Sequence, residues 1–200
     1  MNLQWDPAIR PADENDIGEI LAIYAPYVEQ TTYSFEYTPP TPPVFTQRFR
    51  DHVRQFPWLV YEEDGEILGY AYASAPYARA AYAWCAEPSV YLKPEARGRG
   101  IGRKLYAALE QILDCQGYQV LYALVTQENE ASLRFHERCG YRVSVLFPNC
   151  GFKFGRWLGV IWMEKRLKSV EIPSYPPISW NRIRQTCQKI SDILDTLSLS

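Results

Sequence analysis

The stretch that most limits what this chain can fold into runs Glu87-Pro88-Ser89-Val90-Tyr91-Leu92-Lys93-Pro94-Glu95-Ala96-Arg97-Gly98-Arg99-Gly100-Ile101-Gly102-Arg103. Val90 and Leu92 alternate with Ser89 and Tyr91 at the period of a strand, which Pro94 stops. From Gly102 onward Leu105, Leu109, Ile112 and Leu113 recur at helical spacing. A strand, a turn rich in Gly and Arg, and a helix must follow one another here. A helix N-terminus carries unpaired N–H groups and about half a positive charge. Gly98, Gly100 and Gly102 let a ligand approach the backbone, and Arg97, Arg99 and Arg103 add cations. This chemistry suits a pyrophosphate. A plain surface loop has the same composition, so the flanking chain must decide. The glycine spacing is not that of a dinucleotide-binding fingerprint, and no Gly-Lys-Ser/Thr follows to make a P-loop.

The chain of 200 residues suits one domain with a short extension. A net charge of -2 gives no global field for nucleic acid or an anionic membrane. No apolar run approaches the roughly 20 residues of a membrane helix, and Met1 to Pro11 lacks a basic segment followed by an apolar one. Five cysteines, an odd number without a Cys-x-x-Cys pair, argue against a disulfide framework or a metal site. They fit a reducing cytoplasm.

Ala8 to Pro11 is expected to be a first strand, and Asp13 with Asp16 to cap a helix through Ile17, Ile20, Leu21 and Tyr24 that ends at Pro26 or holds it in its last turn. Thr31 to Phe35 is extended. Phe45, Phe49 and Val53 mark a second helix. Trp58–Glu62 and Ile67–Ala75 are strands joined at Asp64-Gly65. A strand over Tyr82–Leu92 precedes the central helix, which Gly117 terminates. Val120–Thr126 has the near-continuous apolar run of a strand buried on both faces. A helix follows from Asn129 or Glu130 to Cys139. Tyr141–Leu146 and Val160–Leu167 are final strands, with 149–157 between them. The pattern is α/β (α+β): a mixed sheet flanked by helices. Residues 169–200 form a Pro-containing linker and a helix with Ile183, Cys187, Ile190, Leu194 and Leu197 on one face, packing on the 1–168 domain or on a partner subunit.

Arg97-x-x-Gly100-x-Gly102 after a strand resembles the acetyl-CoA loop of the GNAT acetyltransferases. Four ordered matches resemble the phosphinothricin and methionine sulfoximine acetyltransferase group within that superfamily. They are Thr32-Tyr33-Ser34-Phe35-Glu36; Arg79-x-x-Tyr82 with Glu87-x-Ser89-Val90-Tyr91-Leu92; Asn129-x-x-Ser132-x-x-x-His136-Glu137-x-x-Gly140-Tyr141; and Gly151-Phe152-Lys153-Phe154-Gly155-Arg156-Trp157. Cys85-Ala86 and Leu158-Gly159 depart from the group, which commonly shows Thr-Val and His-Asp there. The resemblance implies a GNAT fold with a mostly antiparallel sheet and acetyl-CoA as cosubstrate. It also implies direct attack by a small amine in a ternary complex, and a homodimer. The acceptor would be the α-amine of a phosphinothricin, methionine sulfoximine or methionine sulfone type of compound. Another small amine, a protein N-terminus, or CoA binding without turnover are the other readings.

Within that resemblance Glu87 is the candidate general base, although the same residue could be a surface carboxylate. His136 stands where many relatives carry a tyrosine that serves the leaving thiolate, or is a core histidine with its hydrogen bonds met. Asn129 and Ser132, with the backbone of Val90 and Leu92, are expected along the pantetheine arm; Asn129 is also a natural helix N-cap. Arg97, Gly98, Arg99, Gly100, Ile101, Gly102 and Arg103 would hold the pyrophosphate. Phe35, Arg79, Tyr82, Lys153 and Arg156 are acceptor-site candidates, with Arg suited to a carboxylate or phosphinate.

Overall fold

The computed structural model describes residues 6–167, 172–173 and 175–186. The elements in order are β1 (Ile9–Pro11), α1 (Ile17–Gln30), α2 (Pro42–His52), β2 (Trp58–Glu63), β3 (Glu66–Ser74), β4 (Cys85–Leu92), α3 (Ile101–Gln116), β5 (Val120–Thr126), α4 (Glu130–Arg138), β6 (Arg142–Lys153), β7 (Arg156–Arg166) and α5 (Trp180–Thr186). The strands form one seven-stranded sheet in the order β1-β2-β3-β4-β5-β7-β6. Every pairing is antiparallel except β4 with β5. That one contact is parallel and short: Cys85 pairs with Val120 and Ala86 with Leu121. From Glu87 onward the two strands no longer pair, and a cleft opens between them.

Local chemistry explains most boundaries. Asp13 and Asp16 form a complete capping box on a short 3-10 turn that leads into α1. Pro26 does not stop α1, which runs about one turn further to Gln30 and holds the proline near its end. The Asp64-Gly65 hairpin has φ of 54° and 78°, the paired positive values of a two-residue turn. Gly117, at φ 96°, ends α3. The strand expected from Tyr82 begins only at Cys85, after a 3-10 turn over Ala80–Tyr82. The largest difference lies at 147–157. Instead of a loop, β6 and β7 extend into a long hairpin closed by Phe154-Gly155, at φ 51° and 73°. Asn149, with φ 52°, marks the irregularity between Phe147 and Gly151 that hides this strand from a period-2 reading.

Two cores sit on opposite faces of the sheet. One packs Ile101, Leu105, Leu109 and Ile112 of α3 against Leu121, Ala123, Val125 and Met163. The other packs Ile20, Ile23 and Val28 of α1 and Phe45 and Phe49 of α2 on Trp58, Val60 and Tyr70. β5 is buried on one face only, because Leu124 is 39% exposed. That uncovered face continues through Trp162 of β7 to Val145 and Phe147 of the edge strand β6. At the other end Trp180 and Ile183 of α5 enter the α3 core, and Gln116 donates to the carbonyls of Gln55 and Ile178. The remaining apolar positions expected on that helix, Cys187, Ile190, Leu194 and Leu197, lie outside the described residues.

Candidate active site

The cleft between β4 and β5 encloses about 630 Å³. Its floor follows from strand geometry. Lys93 N–H points at Leu68 on β3, so by alternation the polar groups of Pro88, Val90 and Leu92 face the open side. Pro88 has no N–H, and its carbonyl accepts from Tyr106 Oη at 2.9 Å. Leu92 is engaged as well: Tyr27 Oη donates to its carbonyl at 2.7 Å and accepts from its N–H at 3.2 Å. Val90 therefore presents the strand's one cleft-facing N–H and C=O pair without a hydrogen bond to a side chain among the described residues.

At one end of the cleft Gly98 and Gly100 have φ of 76° and 80°, values that glycine adopts at little cost. Gly100 is the N-cap of α3, and Gly98, Gly100, Ile101 and Gly102 line the space together with Arg97 and Arg103. A Cβ on Gly102 would touch Leu92 and Phe135 at 3.4–3.5 Å. The Arg97 guanidinium rests 5.3 Å from the centre of the Tyr27 ring. Arg99 is the exception: it does not line the cleft, and Glu63 binds its guanidinium at 2.6 Å. A backbone of N–H groups at a helix start, positive-φ glycines and two arginines is a chemically suitable cradle for the pyrophosphate of acetyl-CoA.

Glu87 occupies the level where β4 and β5 part. Burial raises its carboxyl from 4.5 to about 6. No hydrogen bond to its carboxylate is formed among the described residues, so it is available to a ligand. Asn129 caps α4 by accepting from Ser132 N–H at 3.1 Å, and both residues line the cleft. The amide nitrogen of Asn129 is left for a ligand, so capping and ligand contact are compatible.

His136 is buried, and both its nitrogens are engaged. Nδ1 lies 2.8 Å from the Ser132 carbonyl, which only accepts, so Nδ1 carries the hydrogen. Nε2 lies 2.9 Å from Tyr106 Oη. Desolvation lowers its pKa to about 4, so near neutral pH the ring is uncharged and carries one hydrogen; the single Tyr106 hydroxyl hydrogen is then shared between the Pro88 carbonyl and Nε2. His136, expected either to serve the thiolate or to be a core histidine with its hydrogen bonds met, is buried here with both nitrogens within hydrogen-bond distance of protein partners. His136 and Tyr106 form a buried link from α4 through α3 to the Pro88 carbonyl, next to Glu87.

The acceptor-side candidates separate. Phe35 is 41% exposed, and its ring lies so close to Gly151 that a Cβ there would come within 2.1 Å of it. Arg79 and Tyr82 are exposed on the 75–84 loop, which leaves the sheet where Ser74 pairs with Glu87. The Tyr82 ring packs 4.4 Å from that of Tyr77. Arg156 is half exposed and bound to Glu128 at 2.6 Å. Lys153 is not a ligand contact: it is 2% exposed, and its ammonium donates to the carbonyls of Val28, Thr31 and Ser34. Tyr27, Tyr33 and Tyr106 were not anticipated. The first two line the cleft, and Tyr106 supports its floor. The signal for Tyr106 was a phenol on the buried face of a helix, which must find a partner.

Comparison with known proteins agrees with this geometry. Residues 9–162 match the family model described as acetyltransferase (GNAT) domain. The chain is 38% identical over 165 residues to a phosphinothricin N-acetyltransferase of Alcaligenes faecalis, covering 80% of this chain and 83% of that protein. It is 36% identical over 162 residues to the L-methionine sulfoximine/L-methionine sulfone acetyltransferase of Pseudomonas aeruginosa, covering 80% and 94%. The crystal structure of a GNAT superfamily phosphinothricin acetyltransferase from Sinorhizobium meliloti in complex with AcCoA superposes with a TM-score of 0.81 at 32% identity. That match covers 86% of this chain and 97% of the other. With the splayed parallel pair, the glycine-arginine turn at the start of α3 and these matches together, the chain belongs to the GNAT acetyltransferases.

Proposed function

We propose that the chain transfers acetyl from acetyl-CoA to the α-amine of a small amino acid analogue of the phosphinothricin, methionine sulfoximine or methionine sulfone type. The observation that carries this reading is Glu87. A carboxylate without a hydrogen-bond partner among the described residues, raised to about 6, stands at the mouth of a cleft whose far end is an anion cradle. An ammonium acceptor must lose a proton before it can attack, and a carboxylate with this affinity can accept one, directly or through a water. Acetyl-CoA supplies the thioester. The N–H groups at 98–103, with Arg97 and Arg103, hold the pyrophosphate; Val90, the Leu92 edge, Asn129 and Ser132 border the pantetheine arm. Tyr106 and His136 fix Pro88, and thereby Glu87. Phe35, Tyr33, Arg79 and Tyr82 are the groups that surround the acceptor, with Arg79 as the partner for its carboxylate or phosphinate.

The test is thiol release from acetyl-CoA against an amino acid panel. Release should depend on phosphinothricin, methionine sulfoximine or methionine sulfone, and N-acetylated methionine sulfoximine should give none. Release only with polyamines or peptide N-termini would overturn the acceptor assignment.

We also read the protein as a cytoplasmic homodimer. The 12-residue edge strand β6 exposes Val143, Val145, Leu146 and Phe147 at 39–56%, and a long apolar edge is unfavourable in isolation. Among the described residues no helix is long and apolar enough to cross a membrane, and Cys85, Cys115, Cys139 and Cys150 form no disulfide. Light scattering at twice the chain mass supports the dimer; a monomer mass refutes it.

A further inference from the structure

The buried ammonium of Lys153 has no role in the chemistry above, yet it joins the end of α1 and the segment after it to the β6–β7 hairpin. It sits at the tip of the β6–β7 hairpin, and its three donors meet the carbonyls of Val28 at 2.7 Å, Thr31 at 2.9 Å and Ser34 at 2.6 Å. A lysine has three donors and no acceptor, so this site uses all of them. Val28 lies in the last turn of α1, whose terminal carbonyls have no partner within the helix and favour a nearby cation. Thr31 and Ser34 belong to the segment that follows.

Three further ties run between the same two parts. Thr32 Oγ1 donates to Glu128 at 2.5 Å, and Glu128 also binds Arg156 of the hairpin. The Phe35 ring lies on Gly151. Tyr37 Oη donates to the Phe152 carbonyl at 2.5 Å. Among these, only Lys153 is fully withdrawn from solvent and bonded at three points. Between the tied residues lies Tyr33, which lines the cleft with Glu87. The segment has little regular structure of its own, so its position is set by these bonds.

We propose that Lys153 is the positioning residue of the acceptor wall: its ammonium ties residues 31–35 to the β6–β7 hairpin and thereby fixes Tyr33, which lines the cleft that Glu87 also lines, and Phe35, which packs on Gly151. The residue never touches the acceptor. It acts by holding one wall of the pocket, while the pyrophosphate turn at the start of α3 makes no hydrogen bond to it among the described residues. This assignment rests on the acceptor reading above for its kinetic readout. Its structural readout does not.

The experiment compares the parent chain with Lys153→Met, which keeps the length and removes the ammonium. Three experiments are read: CoA affinity by calorimetry, steady-state kinetics with methionine sulfoximine for acceptor KM and kcat, and hydrogen exchange of the amides at 31–37. Loss of the tie should raise acceptor KM by up to about 10²-fold, the scale of a small misplacement in a reacting geometry. CoA affinity should be unchanged, and exchange at 31–37 should rise while exchange in α3 does not. A merely structural role would instead weaken CoA binding and protection throughout. That pattern, or unchanged acceptor KM and exchange, overturns the proposal. If Lys153→Met does not fold, Thr32→Val is read in its place, because it removes a second tie without leaving the buried carbonyls unpaired. The same split in smaller measure is expected, and unchanged exchange at 31–37 overturns the proposal. If the parent itself turns over no amino acid analogue, the acceptor reading fails. The exchange measurement then decides the role of Lys153 by itself.

Discussion

Replacing Glu87 by Gln separates chemistry from stability at one position. Burial lifts this carboxyl from 4.5 to about 6. A tenfold change in proton affinity is about 1.4 kcal/mol, so holding the ionised form in the native cleft costs about 2 kcal/mol. The native state binds this proton more tightly than the unfolded chain does. The contribution therefore favours folding below 4.5 and is lost as the pH rises through about 6. Gln has the same size and no charge to desolvate. Well above pH 6 the variant should be more stable than the parent by up to about 2 kcal/mol, or about 4–8 °C in melting temperature for a chain of this length. The difference should vanish under acid conditions. Turnover should fall by about 10²–10⁴-fold, the usual contribution of a general base. Thermal melts across the pH range and thiol-release kinetics on the same preparations measure both. A variant that melts below its parent at every pH and keeps its activity would refute the assignment of a buried, unpartnered base.

Other expectations follow from the geometry around the cleft. Gly100→Val places a β-branched residue at φ 80°, which should cost about 1–2 kcal/mol and weaken CoA binding by calorimetry more than it changes the acceptor KM. Tyr106→Phe removes the one hydroxyl that links the buried Pro88 carbonyl to His136; a stability loss of about 1–3 kcal/mol is expected, together with a lower kcat, because Glu87 immediately precedes Pro88. Trp180→Ala should cost about 3–5 kcal/mol by denaturant titration, since this side chain is completely buried in the main core; a neutral effect would mean that the tail is dispensable.

What could be read directly from the sequence was local. The turn at 97–103 is legible because a helix start, positive-φ glycines and arginines act within a few residues of one another. The Asp13–Asp16 cap and the Asp64-Gly65 hairpin are legible for the same reason. The residues that escaped are those whose partners lie far along the chain. Tyr27 meets Leu92 across 65 positions, and Lys153 meets Val28 across 125. A charged residue in an aromatic turn is ordinarily a surface group, and only tertiary packing reveals that Lys153 is enclosed. The burial and hydrogen bonding of His136, which decide its protonation, are absent from sequence spacing. The hairpin at 147–157 was missed because Asn149, Gly151 and Gly155 are turn-forming residues, and here two of them sit within or beside paired strand.

The most direct test of the whole account is a crystal structure of the protein with CoA and methionine sulfoximine bound together. The pyrophosphate should lie on the N–H groups of 98–103, and the α-amine should stand within about 2.6–3.2 Å of the Glu87 carboxylate or be joined to it by one water. CoA bound elsewhere, or an amine turned away from Glu87 with another base beside it, would contradict the account.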